Sequence, residues 1–265
     1  MAGGRIHVGV GGWTYEPWRG TFYPKGLPHA RELEFASRAL TAIEINGTYY
    51  RLQSRASFEK WARETPDGFV FTLKASRYCT NRTKLADAGD SIAKFLGQGL
   101  TILGDKLGPI LWQFMPTKKF DPEDFGSFLK LLPDKQEGVR LRHAVEVRHE
   151  SFRDPAFVEL ARKAGAAIVF ADSPDYPAFA DLTADFVYAR LQDTREEEPT
   201  GYDASAIERW TAICRQWAEG EQPRDLPYIS DKAAPREPRD AYIFMISGAK
   251  VRAPAAAQAL IKALG

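Results

Sequence analysis

Apolar residues along this chain recur in two rhythms. Short runs rich in β-branched and aromatic residues are bounded by turn residues, and between them lie longer stretches whose apolar positions return every three or four residues. Eight runs carry the first rhythm: IHVGV near 6–10, TAIEIN near 41–46, FVFTLK near 69–74, PILWQF near 109–114, AVEV near 144–147, AAIVFAD near 166–172, FVYARL near 186–191 and AYIFMI near 241–246. The second rhythm marks helices in ASFEKWARE, SIAKFLGQGLTILGDKL, PEDFGSFLKLL, DPAFVELARKAG, SAIERWTAICRQWAEG and APAAAQALIKALG.

Strands alternating with helices imply a mostly parallel sheet, and eight of them in 265 residues favour a closed α/β barrel, the (β/α)8 or TIM barrel, over a doubly wound sheet. The segment SPDYPAFADLTAD, broken by two prolines, predicts a short or missing helix between the sixth and seventh strands. No linker or repeat divides the chain, so residues 1–265 read as a single domain. The connections over 13–40 and 192–240 are long enough to lay loops across one end of the barrel.

Polar residues interrupt the strands at regular intervals. Ile43 and Ile45 bracket Glu44, with Asn46 next in phase; Phe71 and Leu73 alternate with Thr72 and Lys74; Trp112 and Phe114 bracket Gln113. Val145 and Val147 bracket Glu146, with Arg148 beyond; Ala189 and Leu191 bracket Arg190, with Gln192 beyond; Asp172 follows Phe170 in phase. One face of each strand must meet the helices and be apolar, so the polar set is expected to face the barrel interior, mostly at the carboxyl ends where barrel active sites form. Three carboxylates, Glu44, Glu146 and Asp172, would there meet three cations, Lys74, Arg148 and Arg190. The competing reading is a plug of satisfied ion pairs, since buried charges must pair whether or not they catalyse anything.

Composition narrows the classes. Hydrophobic residues are 44% and charged residues 27% of the chain, the mix of a globular core. The formal charge of +1 supplies no global attraction to nucleic acid or anionic membrane. Cys79 and Cys214 have neither metal-site spacing nor the density of a disulfide scaffold, which points to a reducing cytoplasm. The start MAGGRIHVGVGGW reads as no export signal, and no apolar run approaches membrane-spanning length.

GVGGWT at 9–14 lacks the third glycine of a dinucleotide fingerprint and reads as a turn after strand one. Trp13, Tyr15, Trp18, Phe22, Tyr23, Tyr49 and Tyr50 cluster after strands one and two, where they either stack on a ligand or pack the loop. The four histidines have no zinc spacing, and neither cysteine nor any serine carries a nucleophile signature. TREEEP at 194–199 is most simply a solvated loop. Glu44, Glu146 and Asp172 together would suit Mg²⁺ or Mn²⁺, although the neighbouring cations could supply the countercharge without a metal.

The runs GVGGWTYEPWRGTFYPKGL, EINGTYYRL, FEKWARETPDGFVFTLKA, ILWQFMP, EVRHESF, FADSP and FVYARL keep an order and spacing, from residue 8 to about 191, that closely resembles the domain-of-unknown-function family 72. The resemblance implies a TIM barrel and no established reaction. It places the family's polar positions on Trp13, Glu44, Asn46, Tyr49, Lys74, Gln113, Glu146, Arg148, Asp172 and Arg190. The chain departs from that pattern at Asn81 and Gln192, where relatives carry His, and at Met245, Ile246 and Ser247, where they carry Phe-Asn-Asn. If those groups do chemistry in relatives, it is altered or lost here.

The expectation is a cytoplasmic enzyme of hydrolase (phosphoester) or isomerase type, acting without an organic cofactor on a small anionic or hydroxylated substrate. Glu44, Glu146, Lys74 and Asp172 are its catalytic candidates, and Trp13, Asn46, Tyr49, Gln113, Arg148 and Arg190 its binding candidates. Two rivals are a nucleic-acid-processing or binding accessory protein, using Arg51, Arg55, Arg77, Arg82 and Lys84, and a catalytically inactive ligand-binding barrel.

Overall fold

All eight expected strands form, and they close into a barrel. The computed structural model describes residues 3–265; Met1 and Ala2, where the export-signal reading and the single domain begin, lie outside the described residues. The strands are β1 Ile6–Gly11, β2 Ala42–Ile45, β3 Val70–Lys74, β4 Leu107–Gln113, a small antiparallel hairpin β5 Lys135–Gln136 and β6 Val139–Arg140, then β7 His143–Glu146, β8 Ala167–Ile168, β9 Phe170–Asp172, β10 Phe186–Leu191 and β11 Asp240–Met245. Apart from the hairpin they make one sheet of nine parallel segments in the order β8-β7-β4-β3-β2-β1-β11-β10-β9. Its two ends are consecutive in the chain, separated only by Val169, so β8 and β9 are one stave that pairs β7 on one side and β10 on the other. Counted that way the barrel has eight staves, in one domain.

The helices follow their strands: α1 Glu32–Ala39, the single turns α2 Gly47–Tyr50 and α4 Arg77–Thr80, α3 Arg55–Glu64, α5 Gly89–Leu96, α6 Pro122–Lys130, α7 Pro155–Lys163, α8 Ala204–Ala218 and α9 Ala253–Leu264. Carboxylate or hydroxyl caps start five of them, the single turn α4 through Ser76 and four longer helices. Ser54, Asp121, Asp154 and Asp203 accept from the first free amides of α3, α6, α7 and α8, each cap contributing about 1 kcal/mol. Residues between Asp172 and Phe186 contain no helix, as the two prolines predicted.

Two helix expectations need correction. SIAKFLGQGLTILGDKL is not one helix: α5 ends at Leu96, Gly99 turns left-handed at φ 103, and a 3-10 segment resumes over Leu100–Lys106. The helix α1 lies in the connection read only as loop, and it starts from Arg31 without a side-chain cap, so no capping signal marked it.

Apolar packing falls into two layers. The larger lies between strands and helices and takes in Ile43, Ile45, Phe71, Leu73, Trp112, Val145, Ala189 and Leu191. The smaller fills the barrel with Ala42, Val70, Leu111, Ala144, Ala167, Val169, Phe186, Tyr188, Tyr242, Phe244 and Ile246. Small residues on β2, β7 and β8 face rings from β10 and β11, which lets the interior fill without a pore.

Candidate functional site

Above that apolar filling the interior turns polar, because the inward phase of β2, β7 and β10 places Glu44, Glu146 and Arg190 at one level. They are 0%, 1% and 2% exposed. The Arg190 guanidinium donates to Glu44 through Nε at 3.1 Å and Nη2 at 3.0 Å, and to Glu146 through Nη1 at 2.6 Å. The Tyr188 hydroxyl donates to Glu44 Oε2 at 2.7 Å and meets Thr72 Oγ1 at 3.0 Å. Glu146 also accepts from Gln113 Nε2 at 3.0 Å and Arg148 Nε at 2.7 Å.

Burial alone would raise the Glu146 carboxyl, but Arg190, then Arg148 and the Gln113 and Arg148 hydrogen bonds, hold it down at about 2. The same carboxylates raise the Arg190 guanidinium above its ordinary range against the opposing effect of burial. Burial and the neighbouring Glu44 raise the Tyr188 phenol. Glu44 and Glu146 thus each accept three hydrogen bonds, and Glu146, held near 2, is a weak proton acceptor. With Arg190 between them the two carboxylates form a buried ionic floor to the barrel mouth.

Lys74, at the carboxyl end of β3, stands beside that floor without belonging to it. Among the described residues no carboxylate forms an ion pair with it; its Nζ lies 4.5 Å from the centre of the Tyr49 ring. Burial, then the Arg190 charge, push its amine down to about 8. Tyr49 accepts from Asn81 Nδ2 at 3.2 Å. Arg148 reaches the rim, with its guanidinium 4.2 Å from the Tyr176 ring centre. Three buried polar atoms near the strand ends have no partner among the described residues: Thr80 Oγ1, Asn81 Oδ1 and Gln192 Nε2.

Asp172 is not part of this group. In the broken stave Val169 faces the interior while Phe170 packs on Trp210 and Trp217 of α8, so Asp172, in phase with Phe170, turns to the helix layer. Burial and Asp193 raise its carboxyl, and Arg209 opposes them. The interior cup thus holds three cations, Lys74, Arg148 and Arg190, against two carboxylates, Glu44 and Glu146, a surplus of 3 − 2 = +1 when Lys74 is protonated.

That placement also removes the divalent-metal expectation. The oxygens of Glu44 and Glu146 are occupied by Arg190, Arg148, Tyr188 and Gln113, and the third donor is on another face. Elsewhere among the described residues no three His, Cys, Asp or Glu side chains converge suitably.

Asn46 and Trp13 sit to one side of the cup. They line a cavity of about 560 Å³ with Gly12, Tyr50, Arg51 and Lys250. Trp13 packs edge-on against Trp61 at 5.4 Å, and its carbonyl accepts from Tyr23 OH. Past β1 the chain runs into a 3-10 turn, Glu16–Trp18, and the Gly12 amide donates to Glu44 O at 2.8 Å, which is a strand-end turn. Most of the loop aromatics are packing: Trp18 and Tyr23 are buried with Phe22 and Phe35 around them. Tyr188 was not legible as a polar participant, since a tyrosine among apolar strand neighbours reads as core.

Residues 7–265 match the family described as "Protein of unknown function DUF72". Over 159 residues the chain is 25% identical to the UPF0759 protein YunF of Bacillus subtilis, covering 58% of this chain and 54% of that protein, so the match spans about half the length of that relative. The DUF72 family protein TM1631 of Thermotoga maritima superposes with a TM-score of 0.71 at 21% identity, covering 97% of each chain. The DUF72 family protein EF0366 of Enterococcus faecalis gives 0.70 at 16% identity, covering 99% of this chain and 98% of that one. These likenesses support the fold.

Proposed function

The chain belongs to the DUF72 family, whose description assigns no reaction, and we propose that it is an enzyme performing acid/base chemistry on a small anionic, hydroxylated or phosphorylated molecule. The observation that carries this reading is Lys74, a half-buried amine against the Tyr49 ring, without an ion-pair partner among the described residues and lowered to about 8, next to a cup with surplus positive charge. A group with that affinity exchanges protons readily near neutral pH. Arg148 at the rim holds the anion; Asn46, Tyr49 and Gln113 orient hydroxyls; Glu44, Glu146 and Arg190 fix the floor and its field. Hydrolysis of a phosphoester and isomerisation both use these roles.

Free, buried Cys79 and Cys214 fit a reducing cytoplasm as its location. Among the described residues no helix is long and apolar enough to cross a membrane.

The test is turnover across a panel of sugar phosphates and phosphate esters. Lys74→Met should lower kcat by about 100-fold or more, while Arg148→Gln should mainly raise KM. The wild-type profile should show a limb near pH 8 that Lys74→Met lacks. Wild-type protein that binds phosphate, by thermal shift, but turns over nothing in the panel would favour the inactive ligand-binding barrel. The sealed ionic floor and the departures at Asn81, Gln192, Ile246 and Ser247 are what keep that second reading in view.

A further inference from the structure

Beside the cup, three cavities adjoin along the barrel's carboxyl end. The 560 Å³ cavity shares Gly11, Asn46 and Lys250 with one of 160 Å³ under Ser247, and shares Tyr50 and Arg51 with one of 320 Å³ bounded by Leu52, Tyr78 and Lys94. Through these shared residues they lie side by side in a trough-like row from β11 across the ends of β1 and β2 to α5.

Two properties of its lining stand out against the rest of the chain. Every charged side chain that lines it is a cation, Lys250, Arg51 or Lys94, although the whole chain carries only +1. Arg77 adds a fourth at its edge, its guanidinium 5.4 Å from the Tyr78 ring centre. The second property is apolar: the large hydrophobic side chains left exposed among the described residues are Tyr50 at 65%, Leu52 at 49% and Tyr78 at 61%, and all three line the same 320 Å³ cavity. Exposed rings gathered with cations are a costly surface to leave open to water unless something covers it.

We propose that this trough binds a single strand of nucleic acid, with bases stacking on Tyr50 and Tyr78 and phosphates tracking Arg51, Arg77, Lys94 and Lys250. Charge complementarity selects a polyanion, and the exposed rings select one whose bases are unstacked; duplex bases are closed to such contacts, and an apolar protein surface would not call for an all-cationic lining. Arg82 is not part of this surface: it is tied to Tyr78 O, Asp87 O and Ser91 Oγ. The six side chains assigned to the strand, Tyr50, Tyr78, Arg51, Arg77, Lys94 and Lys250, lie outside the ionic floor, although the trough shares Asn46 with the site of the Lys74 reading.

The experiment is fluorescence anisotropy with a labelled oligothymidine of about twelve nucleotides, titrated at several salt concentrations. Binding should weaken with a log–log salt slope of about −2 to −3, the value for roughly four phosphate contacts on a single strand. The double variant Tyr50→Ala, Tyr78→Ala should bind about 10-fold or more weakly, and Arg51→Gln should flatten the slope. Both substitutions are at exposed positions, and unchanged thermal melting confirms that the variants fold. Lys74→Met should leave oligonucleotide binding intact, which separates this test from that of the catalytic reading. The proposal is overturned by no binding, by equal affinity for duplex, by affinity unaffected in the tyrosine double variant, or by binding to phosphatidylserine vesicles in place of the oligonucleotide.

Discussion

Lys74 and Glu146 show how differently one barrel mouth can treat two ionisable groups. Both lose water, yet Glu146 gains Arg190, Arg148 and Gln113 while Lys74 gains an aromatic face and the attraction of Glu44 and Glu146 without an ion pair to either. Strand parity in the sequence was enough to place Glu44, Glu146, Lys74 and Arg190 inward, because each sits between apolar residues that demand the helix side. It could not show which charges would be satisfied, because partner choice depends on the level each strand reaches in the barrel. The unmet charge has a measurable consequence. A lysine whose folded value is about 8 against 10.5 destabilises the fold below pH 8, and that penalty vanishes as pH rises through 10.5. Lys74→Met should therefore raise stability by roughly 1–3 kcal/mol at pH 7, with the gain fading between pH 8 and 10.5. Urea titrations of both proteins across that range check it; a gain that does not change with pH would assign the effect to packing instead.

Among the elements, the legible ones were those with a single possible phase. In β2, β7 and β10 the apolar residues alternate with charges, so inside and outside are fixed by the pattern. AAIVFAD is apolar on both phases, and there the sequence supplied no such anchor; the packing of Phe170 against Trp210 and Trp217 decided the matter and carried Asp172 outward. Glycines set similar local limits. An alanine Cβ at Gly9 in β1 would come within 1.9 Å of Ala42 O on β2, so the two staves approach as closely as they do only because position 9 has no side chain. Gly9→Ala should cost more than about 3 kcal/mol, since backbone rather than a flexible side chain must give way. By contrast Gly47→Ala, where the nearest atom would be Gln53 Nε2 at 3.7 Å, should be neutral or stabilise by up to about 1 kcal/mol. Chemical denaturation of the pair reads both, and equal effects would remove the close-approach argument.

At the scale of the whole molecule, the barrel buries titratable groups at several levels, and its acid stability records them. His7 stacks on Tyr242 at 5.1 Å near the amino end of the strands, and burial lowers its imidazole below 6.5. His143, the first residue of β7, accepts from Trp112 Nε1 on Nδ1, so its Nε2–H faces Pro133 O and the ring is held neutral; burial lowers it as well. Groups whose folded values are depressed contribute stability that is present above their unfolded values and is lost as pH falls through the folded ones. The two histidines therefore begin to weaken the fold as pH drops below 6.5. Glu146, at about 2 against 4.5, adds a second loss between pH 4.5 and 2, on the order of 3 kcal/mol. Glu146→Gln should abolish that second loss and sit lower throughout at neutral pH, because Arg190 and Arg148 then share one fewer buried charge, a defect of about 3–5 kcal/mol. The urea midpoint of the two proteins, followed from pH 8 to 2, is the measurement. A variant that parallels the wild type below pH 4.5 would mean that Glu146 is not the carboxylate the barrel protects, and that the ionic floor draws its acid sensitivity from elsewhere in the sheet.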